Sequence, residues 1–140
     1  MVLFKNPKIE VRKSPLHGFG VFANADIKKG EILEECSYAR LYGMEENVVD
    51  VSLESYYYGW PKNPNSKYTT IVFGYGSIYN CAKSEKKRLV DYDCDEEKDV
   101  YVFKAIKNIK ANTEILSYYG DNWWMFEDYK KKLKLHKYAE

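Results

Sequence analysis

Cysteine is scarce in this chain of 140 residues, and the three present, Cys36, Cys81 and Cys94, are odd in number. None forms a CxxC pair or stands at zinc-finger spacing from His17 or His136, so the sequence predicts reduced thiols and no metal site. Long apolar runs are missing as well. No stretch approaches the roughly 20 residues that span a bilayer, and Lys5, Asn6 and Pro7 interrupt the start of the chain where a signal peptide would need an apolar core. The expectation is a protein of a reducing, intracellular compartment with no membrane partner. Excess charge of either sign is also missing. The formal charge of +1 argues against a general polyanion binder and predicts no direct nucleic-acid contact, because such affinity comes mainly from phosphate neutralisation by basic side chains.

What the chain does have is tyrosine: 14 residues, a tenth of its length. Aromatic and β-branched residues suit a pleated, half-buried surface, so most of these tyrosines read as strand residues. Lys8 to Lys13 alternates with period two, Ile9 and Val11 against Lys8, Glu10 and Arg12, and Ser14-Pro15 ends the run. Gly18 to Ala23 is again apolar, and Lys28-Lys29-Gly30 makes a turn before Ile32 and Leu33. Strands are predicted over Thr69 to Phe73, Leu89 to Cys94 and Val100 to Ile106, with turns at Asp95 to Asp99 and Lys110 to Asn112. Glu45 to Asn65 fits neither the helix nor the strand period. Beyond Gly120 the period changes, with Phe126, Tyr129, Leu133 and His136 at i, i+3, i+7 and i+10 among lysines, which predicts a helix over about 122–138. With no repeat or linker, one mostly β domain with a C-terminal helix (α+β) is expected over 1–140, its core about 8–124.

Gly18-Phe19-Gly20 lacks the third glycine and the strand-to-helix setting of a dinucleotide loop, and by itself reads as a tight turn. Three more segments follow in order: Lys29-Gly30-Glu31, then Gly74-Tyr75-Gly76-Ser77-Ile78-Tyr79-Asn80-Cys81, then Thr113-Glu114-Ile115-Leu116-Ser117-Tyr118-Tyr119-Gly120-Asp121. Together they resemble the SET family of protein lysine methyltransferases, and in particular the small stand-alone SET proteins encoded by some large DNA viruses. The resemblance implies short β-sheets with a C-terminal pseudoknot, and S-adenosylmethionine as cofactor. By it, Gly18, Phe19 and Gly20 would lie along the cofactor and Asn80 would meet its amino-acid end, with Cys81 beside the adenine. Tyr119 and, from Leu53-Glu54-Ser55-Tyr56, Tyr56 would flank the methyl-transfer channel as the catalytic pair. Trp124, next to Trp123, matches aromatics that stack near the adenine in short family members. The family's histidine and serine after the asparagine are replaced by Cys81 and Ala82, and because no cysteine follows Cys94 in this sequence, its zinc-bound C-terminal module is not expected here. Cys81 itself reads as a small buried apolar residue, with no basic neighbour directly beside it to lower its pKa.

The partner implied is a protein substrate, a basic histone tail, with a nuclear location, and a small SET protein without flanking modules is expected to pair as a homodimer. Asp91 to Asp99 concentrates negative charge after the cationic Lys83, Lys86, Lys87 and Arg88. This segment reads either as a solvated hairpin or as a dock for such a tail by charge complementarity. Two other readings stay open. One is a SET-like cofactor- or histone-binding protein that has lost catalysis, suggested by Cys81-Ala82. The other is an aromatic-cage β-barrel reader of methylated peptides, suggested by the tyrosines.

Overall fold

Alternation in the first strand is matched by a partner that buries the same face. In the computed structural model, which describes residues 2–41, 56–62 and 66–119, β1 (Ile9–Lys13) pairs antiparallel with β2 (Phe19–Ala23), with Ile9 opposite Ala23 and Val11 opposite Val21. Val21 and Ala23 are fully buried. The turn between the strands closes through the Ser14 N–H donating to the Gly18 carbonyl at 2.7 Å. The Ser14 hydroxyl oxygen accepts from the backbone N–H of Leu16 and His17, a local turn motif typical of serine. Gly18 completes it at φ 48, a left-handed conformation that costs a residue without Cβ little.

Two three-stranded antiparallel sheets follow. One has the order β3-β8-β7, built from β3 (Ile32–Cys36), β7 (Val90–Asp95) and β8 (Val100–Ala105). The central β8 carries Tyr101, Phe103 and Ala105 into the core at 1% exposure or less. An irregularity in the β3–β8 register between Ile32 and Glu34 lets the consecutive Leu33 and Glu34 both be buried. The other sheet has the order β4-β6-β5, with β4 (Tyr38–Leu41), β5 (Tyr57–Trp60) and β6 (Tyr68–Val72). β4 was not anticipated from the sequence. β5 falls within the stretch whose periodicity was ambiguous, because its order comes from pairing with β6, Trp60 opposite Tyr68, rather than from its own pattern.

The predicted strands otherwise stand within a residue or so of their expected bounds, and the turns at 96–99 and 111–112 are present. Among the described residues the structure is mostly β, and Glu85–Lys87 forms a turn of 3₁₀ helix. The helix predicted over 122–138 lies outside the described residues, as do Trp123 and Trp124.

Tyrosines join the two larger sheets. Tyr38, Tyr58, Trp60, Tyr92, Tyr101 and Phe103 pack ring on ring at centroid separations of 4.4 to 6.0 Å. The Tyr101 hydroxyl meets Thr70 Oγ1 at 2.6 Å and the Gly59 carbonyl at 3.0 Å, and the Tyr58 hydroxyl donates to the Gly76 carbonyl at 2.7 Å. Burial pushes the Tyr58, Tyr79 and Tyr101 hydroxyls well above the ordinary tyrosine range and Tyr92 up to about 12. The Lys62 ammonium stands over the Tyr92 ring at 4.7 Å and the Arg40 guanidinium over the Tyr38 ring at 5.9 Å, so cations cap the edge of this ring cluster.

The segment 113–119 closes the fold. The Ile115 N–H donates to the Val21 carbonyl at 2.7 Å, so this segment adds to the β1–β2 ribbon. On its other side Ser117 pairs in parallel with Cys81, the Ser117 N–H reaching the Asn80 carbonyl at 2.9 Å and the Ala82 N–H the Ser117 carbonyl at 2.7 Å. The Leu89 N–H also donates to the Leu116 carbonyl at 2.8 Å, so the two ends of the 82–89 loop hold adjacent residues, Ser117 and Leu116.

Candidate active site

Asn80 is the latch between three separate parts of the chain. It is 5% exposed, and its amide nitrogen donates to the carbonyls of His17 (3.0 Å) and Phe19 (3.2 Å) and to Glu114 Oε2 (2.8 Å). Three oxygen partners fix the orientation of the amide, so its oxygen faces His17 Nδ1 at 3.2 Å. An amide oxygen only accepts, which makes Nδ1 the protonated nitrogen of His17. Glu114 is held from its other side by the Ser14 hydroxyl, which donates to Oε1 at 2.7 Å. The glycine turn, residue 80 and residue 114 thus share one hydrogen-bond network.

Gly20 sits against this network. A Cβ built there would overlap the Glu114 carboxylate and stand 3.1 Å from the Asn80 amide nitrogen, so a side chain would displace the cluster. At Gly18 there is open space, and the requirement is the positive φ alone. Phe19, between them, is 58% exposed.

Tyr119 is positioned at both ends. Its hydroxyl donates to the Tyr79 carbonyl at 2.6 Å, and its backbone N–H donates to Cys81 Sγ at 3.4 Å. Cys81 is therefore not the fully buried apolar filler expected from the sequence. It is half-buried, and its sulfur accepts a hydrogen bond from the backbone of Tyr119, the last residue of the 113–119 segment. The backbone of 80–82 stays paired with Ser117 although the side chains at 81 and 82 differ from those expected of the motif. Ala82 is 1% exposed, leaving little room for a larger side chain.

Of the predicted site residues, the structure brings together Gly18, Phe19, Gly20, Asn80, Cys81 and Tyr119. Tyr56 is half-buried immediately before β5, one residue ahead of the Tyr57–Ile71 pair. Trp124 falls outside the described residues. Sequence reasoning missed Ser14, His17 and Glu114. Glu114 lies inside a recognised motif, and that was the available signal; its partners are 34 and 100 residues away. Among the described residues no group of three or more His, Cys, Asp or Glu side chains could hold a metal, and no helix is long and apolar enough to cross a membrane.

A family model described as the SET domain matches residues 18–120, from the glycine turn to the residue after Tyr119. The chain belongs to the SET domain family. The crystal structure of a candidate histone methyltransferase of Plasmodium falciparum matches with a TM-score of 0.66 and 32% identity, over 85% of this chain and 98% of that one. A chain of the ctPRC2 structure in complex with H3K27me3 and H3K27M matches with a TM-score of 0.57 and 25% identity, over 84% of this chain and 15% of that one. No curated protein matches by sequence.

SET methyltransferases take S-adenosylmethionine, and the residues present in this SET domain fit such a group. Gly20 packs with no room for a side chain against the Glu114 carboxylate, and Phe19 beside it is exposed. A carboxylate and backbone carbonyls are the acceptors that an amino-acid ammonium requires.

Proposed function

We propose that this SET domain methylates a lysine ε-amine of another protein, with S-adenosylmethionine as the methyl donor and a basic histone tail as the substrate. The observation that carries the reading is the anchoring of the Tyr119 hydroxyl on the carbonyl of Tyr79, the residue adjacent to Asn80, whose amide latches the glycine turn. A channel tyrosine and the cofactor turn are thereby referred to one short piece of backbone.

S-adenosylmethionine, when bound, supplies an electrophilic methyl on a positive sulfur. Gly18 to Gly20 and Asn80 would hold its amino-acid end, with Cys81 toward its adenine, a role that the family resemblance also gives to Trp124. A lysine amine with a reference pKa near 10.4 costs about 4.6 kcal/mol to deprotonate at neutral pH. A poorly hydrated channel lined by Tyr119 and Tyr56 lowers that cost by disfavouring the ammonium, whose proton leaves to solvent. The Tyr119 hydroxyl, held in place by its bond to the Tyr79 carbonyl, would orient the incoming amine through a hydrogen bond. That bond aims the amine's own lone pair along the channel, an alignment effect that requires no general-base carboxylate. The Tyr79 carbonyl is also available for weak C–H···O contact with the transferring methyl.

The test is transfer of a labelled methyl group to a histone mixture by the wild-type chain and by Tyr119→Phe. The variant keeps the ring and loses only the hydroxyl, so it should bind cofactor almost normally by calorimetry. Its single-turnover rate should fall about 10- to 1,000-fold, or about 1.4 to 4 kcal/mol of barrier. An undiminished rate per folded molecule would remove Tyr119 from the reaction. Cofactor binding without any transfer to histones or lysate proteins would instead establish a silent SET domain.

A further inference from the structure

We propose that one end of the β3-β8-β7 sheet is a nucleic-acid contact surface that takes the phosphate backbone of a duplex. Because β8 runs antiparallel to both neighbours, its C-terminal end lies beside the N-terminal ends of β3 and β7. Three loops that are distant in sequence, 26–31, 82–89 and 106–112, therefore meet there. Ile27 and Ile109 exchange backbone hydrogen bonds of 2.8 Å, the Gly30 N–H reaches the Ala105 carbonyl at 2.8 Å, and the Ile106 N–H reaches the Leu89 carbonyl at 2.9 Å. The Lys107 ammonium donates to the Lys86 carbonyl.

These loops carry eight cationic side chains against three carboxylates, a net of +5. Each carboxylate is already engaged: Glu31 with Lys8 at 3.0 Å, Glu85 with Arg88 at 2.8 Å, and Asp26 with the Ala111 N–H at 2.9 Å. Lys28, Lys29, Lys86, Lys87, Lys107 and Lys110 are all exposed, and none of them pairs with a carboxylate among the described residues. The opposite end of the sheet, residues 95–99, has four carboxylates and one lysine. The two ends of the sheet thus differ in sign, +5 against −3, within a chain whose formal charge is +1.

Charge without apolar insertion distinguishes a phosphate backbone from a bilayer. A membrane-binding surface adds buried apolar area to its basic residues, whereas no large apolar side chain in these three loops is exposed, Ile27 and Ile109 being 1% and 3% exposed. Lysines on converging loops provide point-charge contacts that hold position on a duplex without reading its sequence.

The experiment is fluorescence anisotropy of a labelled duplex of about 20 base pairs, titrated with the full chain between about 50 and 200 mM salt without cofactor. Contact with five or six phosphates predicts a slope of about −5 in log affinity against log salt. Lys29→Gln/Lys87→Gln/Lys110→Gln, one substitution per loop at side chains with no structural bond among the described residues, should flatten that slope by about 2.7 with the melting temperature unchanged. Lys98→Gln, at the acidic end, should leave it as it is. Absence of binding at low salt, an unaltered slope in the triple variant, or binding to phosphatidylserine vesicles but not to the duplex would each overturn the proposal. The readout involves no methyl transfer, so it stands or falls apart from the proposed reaction.

Discussion

Asn80 and Cys81 are neighbours in the chain with unequal tasks. Asn80 donates to two carbonyls of the glycine turn and to Glu114, while Cys81 accepts one long hydrogen bond from the Tyr119 backbone. Asn80→Ala would leave the carbonyls of His17 and Phe19 and the Glu114 carboxylate short of a donor and release the turn. Cys81→Ala removes the sulfur's contacts with the Tyr119 N–H and with its own neighbour, the Ala82 carbonyl at 3.2 Å. Calorimetry with S-adenosylmethionine should therefore show a greater loss for Asn80→Ala, on the order of tenfold or more, with both variants held well below their melting temperatures. Equal losses would refute the assignment of Asn80 to the cofactor site. At this scale Gly18, Gly20 and Asn80 were legible because their types recur in fixed motifs. His17 and Ser14 were not, because their partners become neighbours only when the 113–119 segment closes against the ribbon.

The β7–β8 hairpin shows how one element divides its charges. Asp91 lies 3.2 Å from the Lys62 ammonium, Asp93 lies 3.8 Å from Lys104, and the Tyr38 hydroxyl donates to Asp99. Asp95 accepts from the Lys98 N–H and so shapes the turn. Much of the acidic run is therefore occupied by its own fold, and exposed ion pairs of this kind are worth about 1 kcal/mol or less each. Glu96 and Glu97, exposed at the tip, are the residues left to attract a basic tail over a screening length of about 8 Å. Replacing both with Ser should raise the apparent KM for a histone tail severalfold at low salt and flatten its salt dependence, with kcat unchanged. Identical kinetics across a salt titration would leave the hairpin a purely structural element. The hairpin was legible from its turn residues and alternation, whereas β5 was not, since Tyr57 to Trp60 become a strand only where β6 pairs with them.

For the whole molecule, the tyrosine-rich contact between the two three-stranded sheets makes folding sensitive to alkali. Tyr58, Tyr79, Tyr92 and Tyr101 all have pKa values raised, first by burial, and Tyr92 titrates at about 12 in the folded chain. A folded pKa above the unfolded one gives stability that is complete below about pH 10 and is lost as pH rises through the folded value. The melting temperature should therefore hold up to about pH 9 and fall from about pH 10 upward, with the buried phenolates appearing only as the chain unfolds. Full phenolate absorbance in a still-folded protein near pH 10 would contradict this account. The sequence by itself determined the β class, most strand positions and the family, because alternation, turn residues and short motifs are local properties that survive without knowledge of neighbours. Only the tertiary structure decided that Glu114 and His17 meet Asn80, that the aromatic rings of two sheets pack together, and that one sheet of a nearly neutral chain has a basic end and an acidic end. Those depend on which distant segments the sheet topology sets side by side, and a net charge or a periodicity averages over that arrangement.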